Sequence, residues 1–125
     1  VKPAFAIRFL VVANALAAVG LLAAWPWQTG VRGMLFFVIG IVHVVLAAGL
    51  WGKRNWARIL MICYAAFQFA GLTIGTMIRL ALVQADGLSP DAAGFLLLAA
   101  VALPLLLWAM VYLLRAAGQS QFAAR

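Results

Sequence analysis

Few side chains in this 125-residue chain can do chemistry. Apart from the cations, the groups that titrate are one histidine, His43, one cysteine, Cys63, two tyrosines, Tyr64 and Tyr112, and two carboxylates, Asp86 and Asp91. Acid and base catalysis needs such groups within hydrogen-bond reach of each other. The aspartates flank a Gly87, Ser89, Pro90 signal, where turn and cap roles account for both, so no carboxylate dyad is expected. One histidine falls short of the ligand count of a zinc site, and one cysteine excludes a thiolate cluster or a disulfide within the chain. Haem would need His43 from two chains or an unusual ligand set. No phosphate-cradling glycine loop follows a strand. No catalytic residue, metal site or cofactor is therefore expected, and Cys63, with no cation beside it, reads as a small buried apolar side chain.

What remains is a set of uncharged polar residues inside apolar runs. Asn14, His43 and Gln68 fall near the middles of the first three runs, and Tyr64 lies one helical turn before Gln68. In a membrane an intramembrane ionisable residue such as His43 is a functional candidate, and the four could line a polar pocket for a proton, a solute or a quinone-like headgroup. The simpler expectation is packing: hydrogen bonds between polar side chains hold membrane helices together at about 0.6 kcal/mol each on average. Packing is favoured, because a neutral histidine is cheaper to bury than a carboxylate and transport sites offer a stronger charge. Pro104 lies at a similar depth in the fourth run, where it frees the carbonyl of Ala100.

The elements that must position these residues follow from composition. The chain is 69% hydrophobic and 9% charged, far more apolar than a soluble domain, which is about half apolar and a quarter charged. Its net charge of +7 comes from cations that sit singly or in one short cluster at the ends of apolar runs. That distribution suits membrane topology and not a nucleic-acid stripe. A span needs about 20 mostly apolar residues, and four stretches qualify, at about 4–24, 33–52, 56–82 and 91–115, followed by a tail over 118–125. The first is taken as a span and not a cleaved leader, because Leu22 fits the small-residue rule poorly for a cut after Ala24.

Local signals mark the connections. Pro26 stops the first helix and Thr29 is placed to cap the second; Gly52 can end the second in a left-handed conformation and Asn55 can cap the third. The third apolar stretch runs past a bilayer thickness, to about Leu82 or Val83. Ser89, Pro90 and Asp91 form a helix-start signal, and Gly118 offers a stop before a frayed tail. Helical spacing predicts small or polar faces at Ala13, Ala17, Gly20 and Ala24, with Asn14 at the edge, at Gly40, His43 and Ala47, and at Tyr64, Gln68, Gly71, Gly75 and Arg79. Gly40, Gly71, Gly75 and Pro104 are the expected helix-packing positions, Gly71 and Gly75 as a small-xxx-small pair.

Lys2, Arg8, Lys53, Arg54, Arg58, Arg115 and Arg125 fall on one side of this arrangement and Arg32 and Arg79 on the other. The positive-inside bias makes both termini and the central loop cytoplasmic. Lys53, Arg54 and Arg58 are the one basic cluster; they could dock anionic lipid, and more simply hold the loop on that side.

Gly49, Leu50 and Trp51, then Arg54, then Trp56, Ala57 and Arg58 resemble the connector between the second and third helices of uncharacterised small bacterial four-span inner-membrane proteins. The resemblance covers roughly ten residues, implies a four-span bacterial inner-membrane protein and carries no functional residue with it. The small multidrug-resistance transporters have a similar length and span number. This chain has Asn14 and no glutamate in its first span, so their proton-coupled mechanism is not supported. The expected architecture is an all-α, up-and-down four-helix membrane bundle, left-handed and held by small-residue packing and midplane hydrogen bonds. The expected role is that of a non-catalytic accessory or scaffold subunit that meets lipid and either other membrane subunits or itself. A small transporter or a quinone-, lipid- or solute-binding protein is the alternative.

Overall fold

The computed structural model describes residues 3–115 and 120–122. The chain is all-α: α1 spans Pro3–Ala24, α2 Gly30–Trp51, α3 Asn55–Asp86 and α4 Pro90–Leu114. All four are long and apolar enough to cross a membrane, the make-up of a multi-pass membrane protein. Continuous helix suits such runs because it satisfies every backbone donor and acceptor within the segment, which hydrocarbon requires.

The helix ends show how sequence becomes local structure. After α1 the chain makes a single 3-10 turn, Trp25–Trp27, with Pro26 inside it and the Gln28 N–H donating to the Trp25 carbonyl at 3.0 Å. Trp25 then leans on Phe37 of α2, ring centroids 4.8 Å apart. Thr29 stands at the cap position of α2, but its hydroxyl makes no capping bond, and Gly30 turns the chain with φ +60°. As a result α2 begins three residues earlier than the apolar run suggests. Ser89 behaves as expected: its Oγ accepts from the Ala92 N–H at 3.1 Å, with Pro90 and Asp91 in the first turn of α4. Gly87, φ +85°, makes the turn out of α3, which continues to Asp86.

The turn between α2 and α3 departs from expectation in two ways. Gly52 keeps a negative φ of −73°, and the left-handed residue is Lys53, φ 50°. The reason is the bonding: Gly52, Lys53 and Arg54 N–H groups donate to the Ala48, Leu50 and Gly49 carbonyls, which keeps Gly52 near the helix and pushes the reversal on by one residue. Asn55 is the first residue of α3 and not its cap; its Oδ1 accepts from Arg58 Nε at 3.0 Å, while the Arg54 carbonyl accepts from Ala57 and Arg58.

The described residues fall into two compact units, one running to Met61 and taking in 120–122, the other Ile62–Arg115. In the first, α1 and α2 are a closely packed helix pair. The buried face of α1 is Ala6, Ile7, Leu10, Asn14 and Ala18. Ala13 and Gly20, expected on the packing face, are exposed, and Asn14 sits in the middle of the stripe and not at its edge. Alanine is apolar enough for either environment; the one amide in the helix is not, and its need for partners sets the rotation. Gly40 of α2 meets Leu22 so closely that a Cβ would lie 2.8 Å from its Cγ. At the turn, a Cβ on Gly49 would lie 2.5 Å from Ala57 Cβ and 2.7 Å from the Trp56 ring. Phe122 is wholly buried, so this part of the expected frayed tail is anchored, as the large apolar area of a phenyl ring favours. The expected stop at Gly118 lies outside the described residues.

In the second unit, Gly75 lets Phe95 of α4 approach α3, a Cβ there lying 2.9 Å from the ring, and Trp108 stacks on Tyr112. Gly71 does not share that role: no atom comes within 4 Å of where its Cβ would be. Cys63 is exposed, contrary to the expectation of a buried thiol. Met61, two residues before it, is buried, and two positions apart on a helix point in different directions.

Candidate functional site

Asn14 is the one polar side chain of the buried core among the described residues, with 3% of its surface exposed. Its partners come from three helices. The Nδ2 donates to the Leu10 carbonyl one turn back, at 2.8 Å, and lies 3.7 Å from the Met61 sulfur at the start of α3; the Oδ1 lies 2.8 Å from Nδ1 of His43 on α2. The geometry dictates the protonation pattern. A carbonyl can only accept, so Leu10 takes an Nδ2 proton and the amide must turn its oxygen toward α2. That oxygen can only accept as well, so the proton between the two residues sits on His43 Nδ1. In the neutral ring Nε2 is then the basic nitrogen, and protonating it leaves the Asn14 bond in place.

Of the four polar residues expected at mid-span, Asn14 and His43 are thus directly bonded. Tyr64 and Gln68 form a second pair within α3, Gln68 Nε2 donating to Tyr64 Oη at 2.9 Å, both side chains half-buried. This second bond links neighbours one turn apart on one helix. Pro104 lies inside α4 and is exposed. Met61 and the Leu10 carbonyl were not anticipated as partners of Asn14. A thioether carries no strong polar signature in sequence, and a backbone acceptor carries none.

The basic loop is divided by its own turn. Lys53 and Arg8 line a cleft of about 200 Å³ with Trp51 and Ile7, whereas Arg54 lines a separate hollow of about 420 Å³ with Trp56 and Val45. Arg8 is the addition here, brought to Lys53 by the α1–α2 packing although the two are far apart in sequence. Arg58 is tied to Asn55. None of these clefts is lined by Asn14, His43, Tyr64 or Gln68.

Among the described residues no three His, Cys, Asp or Glu side chains are grouped as metal ligands. Among the described residues the arrangement offers an amide–imidazole clasp between helices and a cationic turn. Compared with known proteins, the chain matches no protein-family model, no curated protein and no solved structure.

Proposed function

We propose that the chain is a non-catalytic accessory or scaffold subunit, self-associating or joined to other membrane subunits, in a bacterial inner membrane. The observation that carries this is the engagement of Asn14: both ends of its amide are bonded within the helix packing. A polar group used up in this way holds helices together and leaves little for a substrate. Bulky apolar side chains such as Phe67, Met77, Leu97 and Leu16 are meanwhile exposed along the helices, a surface suited to lipid and to other transmembrane helices. The four helices cross up and down as a bundle, with both termini and the Lys53 turn cytoplasmic, on the strength of the arginine and lysine bias. Crosslinking in native membranes, followed by mild extraction, is expected to recover a homo-oligomer or a fixed partner. A lone monomer under both conditions refutes the proposal.

A second reading rests on one further observation, the 2.8 Å approach of His43 Nδ1 to Asn14 Oδ1. Because Nδ1 is committed to Asn14, the ring can gain and lose a proton at Nε2 without breaking the clasp, as a proton-handling or quinone-binding histidine requires. On that reading His43→Ala, Asn14→Ala and Gln68→Ala each abolish binding or flux in protein that still inserts. Intact activity in all three leaves the residues as packing.

A further inference from the structure

The connector between α3 and α4 borders an open cleft of about 560 Å³ that lies wholly within the Ile62–Arg115 unit. Its charged lining is Arg79, Asp86 and Asp91, and its apolar lining includes Ile78, Leu82 and Leu88. The guanidinium carbon of Arg79 stands 3.7 Å from the centroid of the Phe95 ring. That stack fixes the plane of the guanidinium without using any of its five N–H donors. Among the described residues no hydrogen bond or ion pair engages the side chains of Arg79, Asp86 or Asp91, so the cleft presents one cation and two anions with their side-chain hydrogen-bonding capacity unspent.

Local helix electrostatics accounts for only one of the carboxylates. Asp91 lies in the first turn of α4, where the positive end of the helix dipole favours it. Asp86 is the last residue of α3, where the dipole opposes it. The placement of this end matters too. At about 1.5 Å per residue, the 32 residues of α3 extend well beyond the ~30 Å hydrocarbon core, so the end that carries Arg79 and Asp86 belongs at headgroup depth.

We propose that this cleft binds the headgroup of phosphatidylethanolamine. Arg79 donates to the phosphate oxygens, the primary ammonium donates to Asp86 and Asp91, and Ile78, Leu82 and Leu88 receive the first carbons of the acyl chains. A ligand with phosphate alone would set its charge against two carboxylates, and one with an amine alone would meet the guanidinium; a zwitterion carrying both satisfies the set. The ammonium must carry hydrogens to bond the carboxylates, which phosphatidylcholine's does not. This site does not depend on the accessory-subunit proposal.

The test uses the full chain in mixed micelles holding phosphatidylethanolamine, phosphatidylcholine and phosphatidylglycerol with identical acyl chains, with retained lipid read by native mass spectrometry. Phosphatidylethanolamine is expected to be retained about threefold over each of the others, the scale of an exposed charge pair. Asp86→Asn with Asp91→Asn brings it to the level of phosphatidylcholine, Asp86→Glu keeps the preference, and Arg79→Gln lowers both zwitterionic lipids alike. Soluble phosphoethanolamine leaves the bound lipid in place; displacement by it makes the ligand the free headgroup and overturns the lipid assignment. Equal retention of the three lipids by the unaltered chain, or a preference that survives loss of both carboxylates, overturns the proposal.

Discussion

Asn14 Oδ1 and His43 Nδ1 stand 2.8 Å apart across the α1–α2 contact, and the same amide donates to the Leu10 carbonyl behind it. The two side chains form one unit. Asn14→Ala is expected to destabilise the folded protein by about 1–2 kcal/mol, because it strands the His43 N–H as well as removing a bond. In a double-mutant cycle with His43→Ala the coupling should come to roughly 0.6–1.7 kcal/mol, the range of membrane side-chain hydrogen bonds. Unfolding in mixed micelles measures it; a coupling near zero means the pair is not a clasp.

Gly49 and Gly71 offer a matched contrast. At Gly49 a methyl group would overlap Ala57 and Trp56, whereas at Gly71 it would meet nothing within 4 Å. Gly49→Ala should therefore cost about 1–3 kcal/mol through overpacking. Gly71→Ala should be neutral, or stabilising by up to about 1 kcal/mol through helix propensity. Thermal stability in detergent compares the two, and equal effects would contradict the packing described.

Lys53 carries the left-handed conformation of the α2–α3 turn, with φ 50°. Replacing it with glycine removes the steric penalty of a Cβ there and should raise stability by up to about 1 kcal/mol, whereas a β-branched isoleucine should lower it. A chain in which Lys53→Ile is the more stable of the two would place the reversal elsewhere. Since Lys53 is a topology charge on the proposed orientation, both variants are compared by unfolding and not by insertion yield.

Cys63 is exposed on α3, eight residues after its first residue, in a stretch without charge. If that surface lies in lipid, a membrane-permeant apolar maleimide should label it in intact membranes while a charged, impermeant one does not. The same reagents report topology when Leu88→Cys is introduced into a Cys63→Ser background: on the proposed topology the impermeant reagent reaches that position from the periplasmic side. Rapid labelling of Cys63 by the impermeant reagent would take this part of α3 out of the bilayer.

The four helices were legible because each needs only a run of apolar residues, and the Ser89 start because its hydroxyl, proline and carboxylate act within a single turn. The boundaries that slipped depend on bonds between residues a turn apart, as at Gly52 and Lys53, where the hydrogen-bond pattern and not the glycine decides which residue reverses. The packing face of α1 departs from its small-residue spacing for a different reason. With nearly every residue apolar, periodicity carries little information, and the face follows from where Asn14 can find an acceptor and a donor. Cys63 illustrates the same limit: in a helix surrounded by oil, apolar character does not mean burial in protein. The approach of Arg8 to Lys53 was hidden because the two are far apart in sequence and meet only through the helix packing.

Asn14 and His43 are 29 positions apart, and both belong to the first two helices. The buried amide therefore has its imidazole partner once the first two segments are in the bilayer, whatever the state of α4. The hydrogen-bonding demand of the first helix is thus met inside the first hairpin, and a fragment ending after α2 carries the amide and the imidazole together.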